Sequence, residues 1–258
     1  MASRSLVPHG PSHNRAWLWG RHAVMETLRA GRWIPLEIAL APRCPEELAR
    51  EVRQWVKRSS VPLIEESDAA LSKRCRSEEH QGLAARLPEF PYASFDELSR
   101  AVDHQTVWLV LDRIHDSHNF GAMVRSAVGL GVSAVLVGET EQSAVNRQVV
   151  QSSAGAVNLL PIARVSSLHK AIDQLRDQRF RVIAASEKAE TDLFSADLRA
   201  PLVIIVGNEG RGVDPRLLEK CTQSVRIPMG NDLGSLNAAV AAGIVCYEAL
   251  RQRRSAAT

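Results

Sequence analysis

The chain reads as an α/β protein built of two units, each with helices laid against largely parallel sheet. Three observations predict this. Short apolar runs alternate with helical patterns from Trp17 onward. The run VWLVL at 107–111 is apolar without a break, as a strand buried on both faces requires. A stretch with two prolines at 87–92 interrupts the alternation where one unit would give way to the next. At 258 residues the chain has room for two modest domains with separate cores.

The elements follow in order. Helical periodicity predicts helices at 21–30, 46–58 and 68–74, and the apolar runs between and after them predict strands at 36–41, 61–64 and 83–87. Residues 17–88 thus form a small first domain, with 1–16 a disordered arm before it and 89–104 a linker that carries a short helix at 95–101. Beyond the linker, strands are expected at 107–111, 134–137, 158–162, 181–185, 202–206 and 224–227. Helices are expected between and after them at 121–130, 145–153, 168–177, 214–221 and 235–252. Residues 105–254 form this second domain, a doubly wound layered sheet whose ligands would sit outside the carboxyl ends of the strands.

Composition narrows the function. Lys and Arg total 32 against 29 acids, a net charge of +3, so no strong general field for nucleic acid exists. A local patch does: Arg4, Arg15, Arg21, Arg29 and Arg32 face the single acid Glu26, and such a patch suits phosphate or serves equally as a solvated arm. Cys44, Cys75, Cys221 and Cys246 are scattered, with no C-x-x-C pair and no His at ligand spacing, which argues for reduced cytosolic thiols and no metal. No apolar run reaches the ~18 residues of a membrane span. The opening MASRSLVPHGPSHNR lacks the apolar core of a secretory signal, so a cytoplasmic protein is expected.

Three loops that follow strands carry the chemistry. After VWLVL comes DRIHDSHNFGAMVRSAVGLG, with Asn119 and Gly121 at a helix entry and Arg125 further in, where a helix N-terminus favours an anion; an Asn cap with a solvated Arg explains the pattern as well. His115 and His118 read as loop histidines. After LVIIV comes GNEGRGVDP, three glycines within six residues, the spacing expected where backbone approaches a ligand. It is neither a dinucleotide fingerprint nor a P-loop, and Glu209 within it can accept from a ligand hydroxyl or a neighbouring side chain. The third loop, IPMGNDLGSLNAAVA from Ile227, enters an alanine-rich helix; Ser235 is a candidate N-cap, and Gly230 and Gly234 are candidates for turn conformations closed to other residues.

Taken together and in this order, N-x-G-x-x-x-R, G-N-E-G-x-G and I-P-M-x-x-x-x-x-S-L-N-x-x-x-A, the second domain resembles the SpoU/TrmH family of RNA ribose 2'-O-methyltransferases, within the SPOUT superfamily. GRHAVMETLRAG at 20–31 and HQGLAARLP at 80–88 are similar to the opening and closing segments of that family's small RNA-binding module. The layout is nearest to enzymes that methylate guanosine in large-subunit ribosomal RNA, with a transfer-RNA 2'-O-methyltransferase or a non-catalytic RNA-binding ribosome-assembly factor as the alternatives. The resemblance implies a C-terminal domain threaded into a deep trefoil knot, S-adenosylmethionine as methyl donor, structured RNA as substrate and a homodimer formed with the help of the last helix. It further implies catalytic or substrate-holding roles for Asn119, Arg125, Glu209, Ser235 and Asn237, and a cofactor site at Gly207, Ile227, Met229, Gly230 and Leu236. The chain departs from the family pattern around the last motif, where Leu233, Gly234, Ala238 and Ala239 stand in place of its valine and serines.

Overall fold

The computed structural model describes residues 17–199, 201–231 and 234–255. The arm at 1–16, and Leu233 among the departures just named, lie outside the described residues. By internal contacts the chain divides into a unit up to Pro91 and a unit from Tyr92.

In the first unit four strands form one sheet in the order β1 (Trp17–Trp19), β4 (Leu83–Arg86), β2 (Glu37–Leu40) and β3 (Leu63–Glu65). Only β2 and β3 run parallel; β4 is antiparallel to both β1 and β2, so this sheet is mixed. Strand β1 was not expected, because three residues are too few to show a two-residue period. Its Trp17 and Trp19 pack with Ala39, Ala84 and Leu71 in a buried cluster. Helices α1 (Arg21–Ala30), α2 (Glu46–Ser59) and α3 (Asp68–Cys75) complete the unit. α2 begins with Glu46 and Glu47 and ends with Lys57 and Arg58, charges that suit its dipole at both ends.

The two segments that resemble the family's module meet in space. Arg21 donates its backbone N–H to Gln81 Oε1 and its Nε to Gln81 O, both at 3.0 Å, and its Nη2 to Arg43 O at 2.8 Å. His80 is fully buried. Its Nδ1 accepts from Gly82 N–H at 3.0 Å, which leaves the proton on Nε2 to be donated to Ser72 Oγ at 2.9 Å, so the ring is neutral. Gly82 stands at φ +81° against the backbone of Arg43 and Cys44, where a side chain has neither the conformation nor the room. Two arginines of the basic patch are engaged within the unit: Arg21 on these carbonyls, and Arg29 with Glu51 at 3.0 Å and Glu26 at 3.2 Å, while Arg4 and Arg15 lie outside the described residues.

Among the described residues the second unit holds a seven-stranded sheet, parallel throughout: β7 (Ile162–Val165), β6 (Ala134–Gly138), β5 (Val107–Asp112), β10 (Leu202–Gly207), β8 (Arg181–Ala185), β11 (Gln223–Arg226) and β9 (Thr191–Asp192), in that spatial order. Central strands β5 and β10 are buried along their whole length. Around the sheet lie α4 (Phe95–Arg100), α5 (Ser117–Gly129), α6 (Arg147–Ser152), α7 (Leu168–Asp177), α8 (Pro215–Leu218) and α9 (Ala238–Ser255). Phe95 from α4 meets the edge of Trp108 on β5 with ring centroids 5.7 Å apart.

Among the boundaries that differ from the sequence expectation, three have a clear local reason. The strand expected at 158–162 starts at Ile162, because Pro161 has no N–H for a ladder and the residues before it, Ala156–Asn158, close a 3-10 turn. α5 begins at Ser117, since Asp116 accepts from His118 N–H at 2.7 Å and caps it ahead of Asn119. α9 begins at Ala238. Its cap is Asn237, whose Oδ1 accepts from Ala239 N at 2.9 Å and Val240 N at 3.3 Å, so Ser235 is not the cap. Gly230 does not stand at positive φ either, so it supplies no turn conformation closed to other residues.

Candidate active site

The carboxyl ends of β8, β10 and β11 open into a cavity of about 440 Å³. Val206, Gly207, Ile227, Met229, Ser235 and Leu236 are among the residues that line it. Ser186, Glu187 and Lys188, which follow β8, also line it; the sequence reading did not single them out, because a short polar turn after a strand is commonplace. Gly230 is exposed and does not line the cavity.

Gly207 is where the cavity depends on the absence of a side chain. It is buried, and a Cβ on it would fall on the carbonyl of Gly212 and the nitrogen of Val213. The loop can fold back over the strand end only at this glycine. Asn208 then shapes the turn, accepting at Oδ1 from Gly210 N (2.9 Å) and Arg211 N (3.1 Å), while Gly212 N donates to Asn208 O at 2.8 Å. The turn presents Glu209 at the cavity's lip.

From Glu209 a run of hydrogen bonds joins three elements. Asn237 commits its Oδ1 to capping α9, which leaves Nδ2 to donate to Asn119 Oδ1 at 3.0 Å. Asn119, on the first turn of α5, must then donate from Nδ2, and its acceptor is Glu209 Oε1. Each amide therefore has one orientation, and a backbone cap at one end fixes a carboxylate at the other. Among the described residues the other oxygen of Glu209 is held only by Asn208 Nδ2 at 3.4 Å. That leaves it available as an acceptor for a ligand hydroxyl.

Of the ten residues singled out from sequence, Asn119, Glu209 and Asn237 are joined in this way, and Ser235, Gly207, Ile227, Met229 and Leu236 line the same cavity. Arg125 stands apart. It lies about two turns into α5, exposed, lines neither this cavity nor the groove between α5 and α9, and has no hydrogen-bond or ion-pair partner among the described residues. That groove, about 650 Å³, is flanked by Val240 and Tyr247, which are 50% and 61% exposed. Among the described residues no group of His, Cys, Asp and Glu is arranged to hold a metal, and no helix is long and apolar enough to cross a membrane.

Comparison with known proteins is consistent over nearly the whole chain. Residues 106–247 match the SpoU rRNA Methylase family, and residues 17–93 match the family of RNA 2'-O ribose methyltransferase substrate-binding domains. An uncharacterized tRNA/rRNA methyltransferase of Mycobacterium tuberculosis is 36% identical over 269 residues, which is 96% of this chain and 83% of that protein. Among solved structures, the SpoU methyltransferase AviRb of Streptomyces viridochromogenes, in complex with the cofactor AdoMet, is 26% identical with a TM-score of 0.79, covering 93% of this chain and 90% of that one. The A. aeolicus TrmH/SpoU tRNA modifying enzyme is 27% identical with a TM-score of 0.54, covering 63% of this chain and 84% of that one. The chain belongs to the SpoU/TrmH family of RNA 2'-O-methyltransferases, as a member that carries the family's substrate-binding unit ahead of its methylase unit.

Proposed function

We propose that this enzyme uses S-adenosylmethionine to methylate the ribose 2'-hydroxyl of a guanosine in large-subunit ribosomal RNA, acting in the cytosol as a homodimer. The observation that carries the proposal is the fixed run from Asn237 through Asn119 of the α5–α9 groove to Glu209, which lines the cavity beside Gly207. The lean toward ribosomal RNA comes from the first unit. The tRNA modifying relative aligns with only 63% of this chain, and the additional unit here matches an RNA substrate-binding family.

The cavity fits the donor. It is large, lined by apolar Val206, Ile227 and Leu236, and at Gly207 the chain is bare because a side chain there would strike the Gly212–Val213 backbone of the loop beside it. Gly207, Ile227, Met229 and Leu236 would hold the cofactor, with Gly230 in the loop beside them. Bound there, S-adenosylmethionine supplies a methyl group on a sulfonium, open to displacement by an oxygen in line with the carbon and sulfur.

The chain's own residues have two tasks. One is to orient the ribose: the free oxygen of Glu209 accepts from a ribose hydroxyl, while Ser235 and Asn237 fix its position relative to the cavity, and such positioning accounts for much of the acceleration in bimolecular steps. The other is to manage charge as the 2'-oxygen takes the methyl carbon, its bond to sulfur breaking to leave a neutral thioether, and the hydroxyl proton passes to water. Arg125 is assigned to the target phosphate and the developing oxyanion. It is not assigned as the base, because a guanidinium does not readily release its proton. Because Arg125 does not line its own chain's cavity, the reacting groups must be brought to it. A homodimer packed through α5 and α9, covering Val240 and Tyr247, is the arrangement proposed to do so, with the chain threaded as the family's trefoil knot. Sedimentation is expected to show a dimer, and a fully active monomer would defeat that part.

Arg125→Lys keeps the charge and loses the planar fork, so turnover is expected to fall about tenfold or more, with near-normal turnover counting against both roles. The function itself is tested by mapping 2'-O-methyl groups across ribosomal and transfer RNA in cells with and without the gene. One mark in large-subunit RNA should vanish and return with the wild-type gene. A vanished mark in transfer RNA would move the substrate, and an unchanged map would refute the assignment.

A further inference from the structure

We infer that Asp112 and Arg113, at the end of β5, form a positioning pair that sets the glycine loop carrying Glu209 and so tunes both cofactor affinity and transfer rate. The inference rests on assigning the cavity beside that loop to the methyl donor. Neither residue lines the cavity. Both act on the loop that does.

Asp112 is directly opposite Gly207 in the β5–β10 register, at the base of the loop. Its side chain is 4% exposed and that of Arg113 18%. Arg113 grips the carboxylate with a fork, Nε to Oδ1 at 3.1 Å and Nη2 to Oδ2 at 3.0 Å. The same two residues then reach the loop at three separate points. Asp112 Oδ2 accepts from Asp214 N at 2.7 Å, at the loop's exit into α8. Arg113 Nη2 donates to Gly212 O at 3.3 Å, in its middle. Arg113 O accepts from Asn208 Nδ2 at 3.1 Å, at its start, and Asn208 is the residue that folds the turn holding Glu209.

The backbone at Arg113 indicates that this geometry is imposed. Its φ is +59°, a left-handed conformation that costs a non-glycine residue about 1 kcal/mol or more. Only by turning there does the chain aim the Arg113 carbonyl at Asn208 while the guanidinium folds back on Asp112. A buried ion pair is by itself weak support for stability, since desolvation offsets most of its attraction. What the pair supplies is a unique arrangement: with both carboxylate oxygens committed, the loop has one seat. The carboxylate also holds the Arg113 guanidinium more firmly protonated than usual.

The test uses the full chain with the double substitution Asp112→Asn and Arg113→Gly, beside Asp112→Asn and Arg113→Lys alone. The double variant removes both buried charges together, keeps an oxygen for the Asp214 N–H and places at 113 the residue that best tolerates φ +59°, so it is the one expected to fold as wild type does. S-adenosylmethionine affinity is read by calorimetry. Single-turnover methyl transfer is read on ribosomal RNA from cells lacking the gene. Melting temperature and RNA affinity are read in parallel. The double variant should bind S-adenosylmethionine about tenfold more weakly and transfer methyl about thirtyfold more slowly, with RNA affinity unchanged and the melting temperature within a few degrees. Arg113→Lys should recover part of the rate lost without the fork. A double variant within twofold of wild type in both affinity and rate overturns the inference, as does a rate loss that merely tracks melting. A wild-type chain that binds no S-adenosylmethionine overturns instead the assignment on which it rests, so the two failures are told apart.

Discussion

Glu209→Ala is expected to lower single-turnover methyl transfer by about 100- to 1,000-fold while moving the melting temperature by no more than a few degrees. The separation follows from where Glu209 sits. It is exposed at the tip of a turn that Asn208 holds without it, so its removal opens no cavity in the core and strands no buried charge. Asn119 loses its acceptor, but at an exposed position water replaces it. What disappears is the one carboxylate whose direction is fixed through two amides by the cap of α9. Glu209→Gln separates the run from the acceptor: its Oε1 can still accept from Asn119, but its Nε2 then stands where the second oxygen accepts, so charge and acceptor are lost together on the ribose side. If that acceptor matters, Gln should recover less than a tenth of the wild-type rate. If Glu209 serves only to hold Asn119, Gln should approach wild type. A rate within threefold of wild type for Glu209→Ala would remove Glu209 from the mechanism.

Much of the site was legible because its residues were of unusual type for their places. A carboxylate among three glycines after a buried strand, and a Ser-Leu-Asn at the mouth of an alanine-rich helix, ask for an explanation, and the geometry brings Asn119, Glu209 and Asn237 together from segments about 90 and 118 residues apart. Their internal roles were less legible. Ser235 and Asn237 are both good caps, and sequence cannot choose between them; the choice falls to Asn237 because the helix starts at Ala238. Asp112 and Arg113 escaped notice for a physical reason: an Asp-Arg pair after an apolar run looks like an ordinary solvated strand end. Only the paired register with Gly207 shows both side chains turned under the loop. In the fold, the misses concern elements too short for periodicity, as with β1 and β9, or a run cut by Pro161.

The contrast among glycines gives the other large effect. Gly207→Ala is expected to abolish measurable S-adenosylmethionine binding, a loss of about 100-fold or more, and to cost about 2–3 kcal/mol of stability through overpacking. The reason is that the atoms in the way are backbone: a methyl group at 207 meets the Gly212 carbonyl and the Val213 nitrogen, which cannot swing aside as a side chain end can. The loop must lift, and lifting it breaks the Gly212 N to Asn208 O bond of 2.8 Å and the Arg113 Nη2 to Gly212 O bond of 3.3 Å together. Glu209 moves with the turn, so transfer should fail even at cofactor concentrations that restore binding. Gly210→Ala and Gly234→Ala are the matched controls in the same site. A Cβ at 210 comes no nearer than 3.5 Å to Asn208 Oδ1, and one at 234 meets nothing within 4 Å among the described residues. Both should bind the cofactor within about threefold of wild type. Calorimetry on the three variants decides the matter: equal losses at all three would mean that the loops need general flexibility, whereas a loss confined to Gly207→Ala would show that the cavity requires bare backbone at one position.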